Sequence, residues 1–184
     1  MKNALTRNLK ELSQDKKVFI NIFILFLIFF GLGGIVGILG VNIQKDTIIQ
    51  NPTVSSFKSI FFNNIRVALS IFFTGFFTVG LLPIVILFIN GLNFTSAFVY
   101  FSLTEDFAFS LKHVIFHSPF ELLGFYFTLV PSIYSYVLFF KSLRENKKFE
   151  IRKVIKCSLV CILASTVCLL VAALIEFEVI KFLK

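Results

Sequence analysis

Charge is what this chain lacks. Only 15% of its 184 residues are Asp, Glu, Lys or Arg, against about 25% in soluble domains, while 57% are hydrophobic. The shortage is concentrated in runs. Val67–Thr104 holds 38 residues without one charged side chain, and Val18–Gln44, Leu122–Phe140 and Cys157–Ile175 are likewise uncharged. About 20 apolar residues cross a bilayer as a helix. The runs therefore exclude a soluble globular protein and predict an all-α, polytopic transmembrane helical bundle. The polar stretches left over are the first 17 residues, the loop near 45–60 and Lys141–Lys156. Each is too short to build a hydrophobic core of its own, which excludes a separate catalytic domain.

Other scarcities narrow the chemistry. The two histidines, His113 and His117, form no H-e-x-x-H pair, and there is no Asp pair, G-x-S-x-G or Gly-rich phosphate loop. Neither a metal nor a cofactor is expected, and no catalytic residue. The three cysteines, Cys157, Cys161 and Cys168, fall within about 40° of one another on one helix and read as packing residues. A disulfide between neighbours on one helix is excluded, because their Cβ vectors do not converge. Trp is absent and Met occurs once, while Phe occurs 27 times among many Ile, Lys and Asn; this is the drift of an AT-rich genome. The leader is long, the apolar run after it is of full span length, and no A-x-A-like site follows, so residues 18–40 read as a retained first span rather than a signal peptide.

The distribution of charge sets the topology. Residues 1–17 carry five Lys and Arg and residues 141–156 carry seven, 12 in all, against Glu11, Asp15, Glu145 and Glu150; this excess equals the whole net charge of +8. By the positive-inside rule both segments are cytoplasmic. The basic balance points to anionic inner-leaflet lipid as a partner, and not to nucleic acid. Two cytoplasmic ends require an even number of crossings between them. The expected spans are about 18–40, 67–89, 92–108, 119–140 and 157–177. The N-terminus is then cytoplasmic and the C-terminus outside, and residues 18–184 make one transmembrane domain. The turn between spans two and three is expected at Asn90-Gly91, a strong breaker pair, with Pro83 as a rival break. A re-entrant course for 93–103 is the alternative, and would leave the basic segment external. Leu5, Leu9 and Leu12 give the leader an amphipathic face suited to the inner leaflet; a solvated leader is the competing reading.

Asn63-Asn64-Ile65-Arg66 stands at the head of the longest uncharged run. An ionisable group at a membrane span needs an answering partner and marks a functional site by default. The five-span map puts Arg66 at the outer end of span two, level with Glu105, Asp106, His117, Glu121, Glu176 and Glu178. The candidate polar cluster is Asn63, Asn64, Arg66, His117, Glu121 and Glu176, with Glu121 and Glu176 the best partners for Arg66. A structural reading competes for Glu121. Ser118-Pro119-Phe120-Glu121 matches a helix start, with Ser118 as N-cap, Pro119 in the first turn and Glu121 reaching back to the cap. His117 would then lie outside the helix and share no face with Glu121. Glu176 and Glu178 could equally snorkel to water. Gly33 and Gly37 form G-x-x-x-G, a close-packing face whose partner is either internal or another chain. Pro131 is expected to kink span four.

Taken in order, several pieces resemble the stage II sporulation protein M family of integral membrane proteins. They are FFNNIRVA at 61–68, the glycine pattern around Gly75 and Gly80, ING at 89–91, the His117–Glu121 spacing and AALIE at 172–176. The resemblance covers about 60–180. It implies an all-helical protein of the bacterial cell membrane with no catalysis of its own. The namesake works beside two peptidoglycan-degrading proteins in engulfment. Other relatives look like accessory proteins encoded near ABC transporters and in circular bacteriocin clusters. The chain departs from the family in having Ser118 where glycine usually follows the histidine. It keeps His117 and Glu121, as the general branch does. The expected function is therefore a non-enzymatic membrane subunit in peptide export, maturation or self-protection, with ABC-type transporter subunits as partners and a homo-oligomer open. The alternative is a scaffold for cell-wall hydrolases. An intramembrane enzyme using His117 and Glu121 lacks a matched nucleophile.

Overall fold

The computed structural model describes residues 2–41, 56–104 and 107–182, and among them there are five helices and no strand. They are α1 (Lys2–Val41), α2 (Phe57–Phe77), α3 (Leu81–Thr104), α4 (Phe107–Glu145) and α5 (Ile151–Phe182). All five are long and apolar enough to cross a membrane. The helical backbone of α1 runs from the basic leader into the first span without a break.

The short turns fix directions. α2 and α3 are joined by residues 78–80 and α4 and α5 by 146–150, so each pair is antiparallel. α1 lies parallel to α3, since Gly33 faces Phe88 and Gly37 faces Leu92. Five alternating crossings satisfy all of these relations. The basic leader end of α1, the 78–80 turn and the 146–150 turn then share one end of the bundle. Phe19 packs on Tyr134 there, with ring centroids 5.3 Å apart. α4 is the most buried helix and touches each of the other four.

The expected boundaries of spans two and three are corrected. α2 starts at Phe57, ten residues before Val67, because the Ser56 hydroxyl accepts the Ser59 N–H at 3.2 Å and caps the helix. The turn expected at Asn90-Gly91 lies at Thr78–Gly80. There the Gly80 N–H returns to the Gly75 carbonyl at 3.2 Å, with Val79 at φ 53° and Gly80 at φ 83°. This is a left-handed helix stop of the Schellman kind, and only Gly80 adopts its φ without cost. The Thr78 hydroxyl then accepts the Leu82 N–H at 3.0 Å, opening α3. Pro83, the rival break, occupies the first turn of α3, where its missing N–H has no helical partner to lose. The turn at the other bridge repeats the motif: Asn146 is left-handed at φ 51°, and the Lys147 N–H bonds the Ser142 carbonyl at 2.9 Å.

Asn90 and Gly91 instead sit inside α3. The Asn90 amide donates to the Ile86 carbonyl at 2.7 Å, and Gly91 faces α1. A Cβ on Gly91 would collide with the Phe30 carbonyl, and one on Gly33 with the Phe88 carbonyl; one on Gly37 would lie 2.8 Å from the Leu92 carbonyl oxygen. The G-x-x-x-G face is therefore used within the chain, where backbone meets backbone between parallel helices. Gly31 and Gly40 have nothing within 4 Å of a built Cβ.

Gly33→Ala and Gly91→Ala are each expected to destabilise the purified protein in detergent by roughly 1–3 kcal/mol, the usual cost of overpacking. Gly31→Ala should be neutral or slightly stabilising, since it gains helix propensity and meets no neighbour. Equal thermal shifts for all three would refute the close approach.

Candidate functional site

The site grows from the continuity of α4. The helix start expected at Ser118 does not occur, because α4 begins at Phe107 and passes through Pro119 and Pro131. The Ser118 hydroxyl donates to the Val114 carbonyl one turn back rather than capping, and the residue is buried. Proline at 119 removes the N–H that the Ile115 carbonyl would accept, a loss that neighbouring helices and hydroxyls make tolerable in membrane spans. The consequence is direct. His117 and Glu121 are i and i+4 on one helix, so they share a face, and His117 Nε2 lies 3.8 Å from Glu121 Oε2.

α5 completes the group. Gly124 lets α5 come close, for a Cβ there would lie 2.6 Å from Leu169 Cδ2. Two turns farther along each antiparallel helix, α4 presents His117 and α5 presents Glu176. His117 Nε2 is 4.0 Å from Glu176 Oε2. The imidazole side chain is 8% exposed and each carboxylate side chain 21%, so the ring is enclosed and the acids line the edge of the cluster. Glu178, about 200° round α5 from Glu176, is exposed.

α2 adds Asn64. It is 5% exposed, on the face with Ile60, Ala68, Ile71 and Gly75 that packs inward. α2 runs parallel to α4, and Gly75 meets Ser132. That register carries Asn64 to the height of Glu121. Its Nδ2 is buried with no hydrogen-bond acceptor among the described residues.

Arg66 is elsewhere. The expected pairing with Glu121 or Glu176 is replaced by the His117 contacts, for two reasons. The early start of α2 moves Arg66 from the head of the helix to its middle. Asn64 also takes the inward direction, and two residues on a helix turn the chain by about 200°, so Arg66 points away from the bundle. It is exposed, as is Asn63, and no hydrogen bond or ion pair joins its guanidinium among the described residues. At the centre of a membrane helix an unanswered arginine costs about 2.5–3.5 kcal/mol on insertion scales. Glu105 and Asp106 lie outside the described residues, as does the side chain of His113.

The cluster sets one imidazole between two carboxylates, and it ties α4 to α5. It presents no activated nucleophile, since the Ser118 hydroxyl is committed to Val114. The described residues include no group of three or more His, Cys, Asp or Glu arranged to hold a metal. Cys157 and Cys161 are free thiols 3.9 Å apart, toward the basic end of α5. Gly124 carries little mark in the sequence beyond its place one turn after Glu121. Tyr126 and Tyr136 carry none, although their hydroxyls donate to the Phe19 and Phe76 carbonyls of α1 and α2.

A family model described as stage II sporulation protein M matches residues 22–177. The chain belongs to this family. The match takes in α2, α3 and α4 whole, the second half of α1, most of α5, and every residue of the cluster. Comparison with curated proteins and with solved structures gave no match. The stage II sporulation protein M family is a membrane protein family without known catalytic activity, and this member is a multi-pass helical membrane protein.

A double-mutant cycle between His117→Ala and Glu176→Gln, read by unfolding in detergent, should show coupling of about 0.5–3 kcal/mol, the range for residues in contact. The cycle between Arg66→Gln and Glu176→Gln should be additive. Additivity in the first cycle would dissolve the cluster as a unit.

Proposed function

We propose that this member of the stage II sporulation protein M family is a non-enzymatic membrane subunit of a multiprotein envelope assembly. It serves export, maturation or self-protection for a bacteriocin-like peptide. One observation carries the reading: His117, Glu121, Glu176, Tyr126 and Tyr136 join helices inside the bundle, while Arg66, in the middle of α2, faces away from it. His117 reaches Glu121 and Glu176, and Tyr126 and Tyr136 bond backbone carbonyls of α1 and α2. Such an interior supports binding and positioning rather than turnover. Retention of His117 and Glu121 favours the general branch of the family. A second reading is a scaffold that positions peptidoglycan-degrading enzymes, the role that the resemblance to the family's namesake implies.

The membrane is the bacterial plasma membrane. The leader and the 146–150 bridge, which share one end of the bundle, face the cytoplasm because that end carries the basic residues. A cysteine introduced at Lys147 should react with an impermeant maleimide only in inverted vesicles, and labelling of intact cells would reverse the orientation.

The two functional readings separate on co-purification from the native membrane. Recovery of an ATPase or permease supports the export role, and recovery of a lytic enzyme supports the scaffold. Recovery of the chain alone as a monomer would overturn both.

A further inference from the structure

Four polar residues of α2 lie along one flank: Asn63, Arg66, Ser70 and Thr74, at spacings of three and four. They lie apart from the buried face of Ile60, Asn64, Ala68, Ile71 and Gly75. The hydroxyls on the flank are satisfied at home. Ser70 donates to the Arg66 carbonyl at 2.8 Å, and Thr74 to the Ser70 carbonyl. Asn63 and Arg66 are exposed, and neither side chain has a hydrogen bond or ion pair among the described residues. Phe62, Ile65, Leu69 and Phe73 flank the arginine and make with it a shallow open groove along α2.

We propose that this flank of α2 is the docking surface for a transmembrane helix of another protein, one that carries a carboxylate at the depth of Arg66. The inference rests on the subunit reading above and names the chemistry of the partner. Depth is the first argument. Arg66 lies about two and a half turns from the nearer end of α2, farther than an arginine stem extends to water or to a lipid phosphate. In hydrocarbon a guanidinium is held by a carboxylate on a facing helix, with bidentate hydrogen bonds and little competition from solvent. Asn63, one turn away on the same flank, offers a further donor and acceptor to the same helix. The second argument excludes a twofold pairing of this flank with a second copy, because that symmetry would place Arg66 against Arg66. The third is that the two carboxylates expected to pair with Arg66 are engaged within the bundle. Glu121 and Glu176 face His117 in the interior.

The test uses the full chain, purified, labelled at its C-terminus and reconstituted into phosphatidylcholine vesicles. The probes are three Leu/Ala transmembrane peptides bearing Glu, Gln or Leu at the central position, and binding is read by energy transfer. The Glu peptide should bind about tenfold tighter than the Leu peptide, which is what one strong interhelical polar contact supplies. Arg66→Gln should abolish that preference without lowering the melting temperature, since Arg66 holds nothing inside the bundle. Arg66→Lys should keep part of it. Equal binding of the three peptides overturns the proposal, as does a Glu preference that survives Arg66→Gln. Energy transfer between copies of the chain that depends on Arg66 would assign the flank to self-association, and Arg66-dependent retention of phosphatidylglycerol would assign it to lipid; either overturns a carboxylate helix as the occupant. Native gels of the chain in its own membrane separate this from the reading it rests on. A large complex that survives Arg66→Gln overturns the docking flank and leaves the assembly standing, whereas a wild-type chain that migrates alone overturns both.

Discussion

The constraint on which this structure depends is that hydrocarbon offers no hydrogen bonds. Every backbone and side-chain polar group within the spans must be satisfied by protein, and helices are the structure that does so segment by segment. The chain meets the constraint locally wherever it can. Ser70, Thr74, Thr78, Thr95, Ser102, Ser118, Thr128 and Ser132 all donate to carbonyls three or four residues back on their own helices. Groups too large to turn back on their own backbone go to a neighbouring helix. Tyr126 and Tyr136 bind carbonyls of α1 and α2, and His117 lies between two acids of α4 and α5. These few polar contacts join the close glycine packing of α1 on α3 and α5 on α4 in defining the tertiary structure.

α4 is where these contacts converge. Its unbroken course through Ser118-Pro119 puts His117 and Glu121 on one face, and its glycine at 124 admits α5 closely enough for Glu176 to reach the ring. Leu129, fully buried, Ser132 and Pro131 lie where α4 packs against the rest of the bundle. A helix in water would need its apolar stripe to find this place. In lipid the flanks of α1 and α5 are as apolar as the core, as Leu39, Leu159, Val160 and Leu163 show by remaining exposed. Shape and polarity do the sorting instead.

That difference explains what was legible in the sequence. The membrane class, the number of crossings and the segregation of the basic segments to one end follow from counting charges and measuring uncharged runs, which depend on bilayer thickness rather than on packing. Helix ends inside the long uncharged run were not legible, because Asn90-Gly91 and Thr78-Val79-Gly80 are both plausible stops. The choice was made by α1, whose Gly33 and Gly37 lie against Phe88 and Leu92 and whose Phe30 and Gly34 lie against Gly91, contacts between residues far apart in sequence. The same holds at Ser118-Pro119. The local pattern of a helix start is sound, yet the helix continues from Phe107, with the Ser118 hydroxyl donating one turn back. His117, Glu121 and Glu176 were found as residues, but their relation to one another depended on that continuity.

Asn64 and Arg66 show the sorting rule at its sharpest. They are two positions apart, both strongly polar, and the 100° step of the helix sends one inward and the other outward. The inward one is a neutral amide at the height of the His117 cluster, where α2, α4 and α5 meet. The outward one is a guanidinium with five N–H donors and no acceptor, set in the middle of α2, where no ion pair among the described residues answers it. An arginine at the end of the helix could reach water. An arginine in that position is therefore informative in a way that the exposed leucines and phenylalanines around it are not. They are equally at home against lipid or against protein, and it is at home only against an anion.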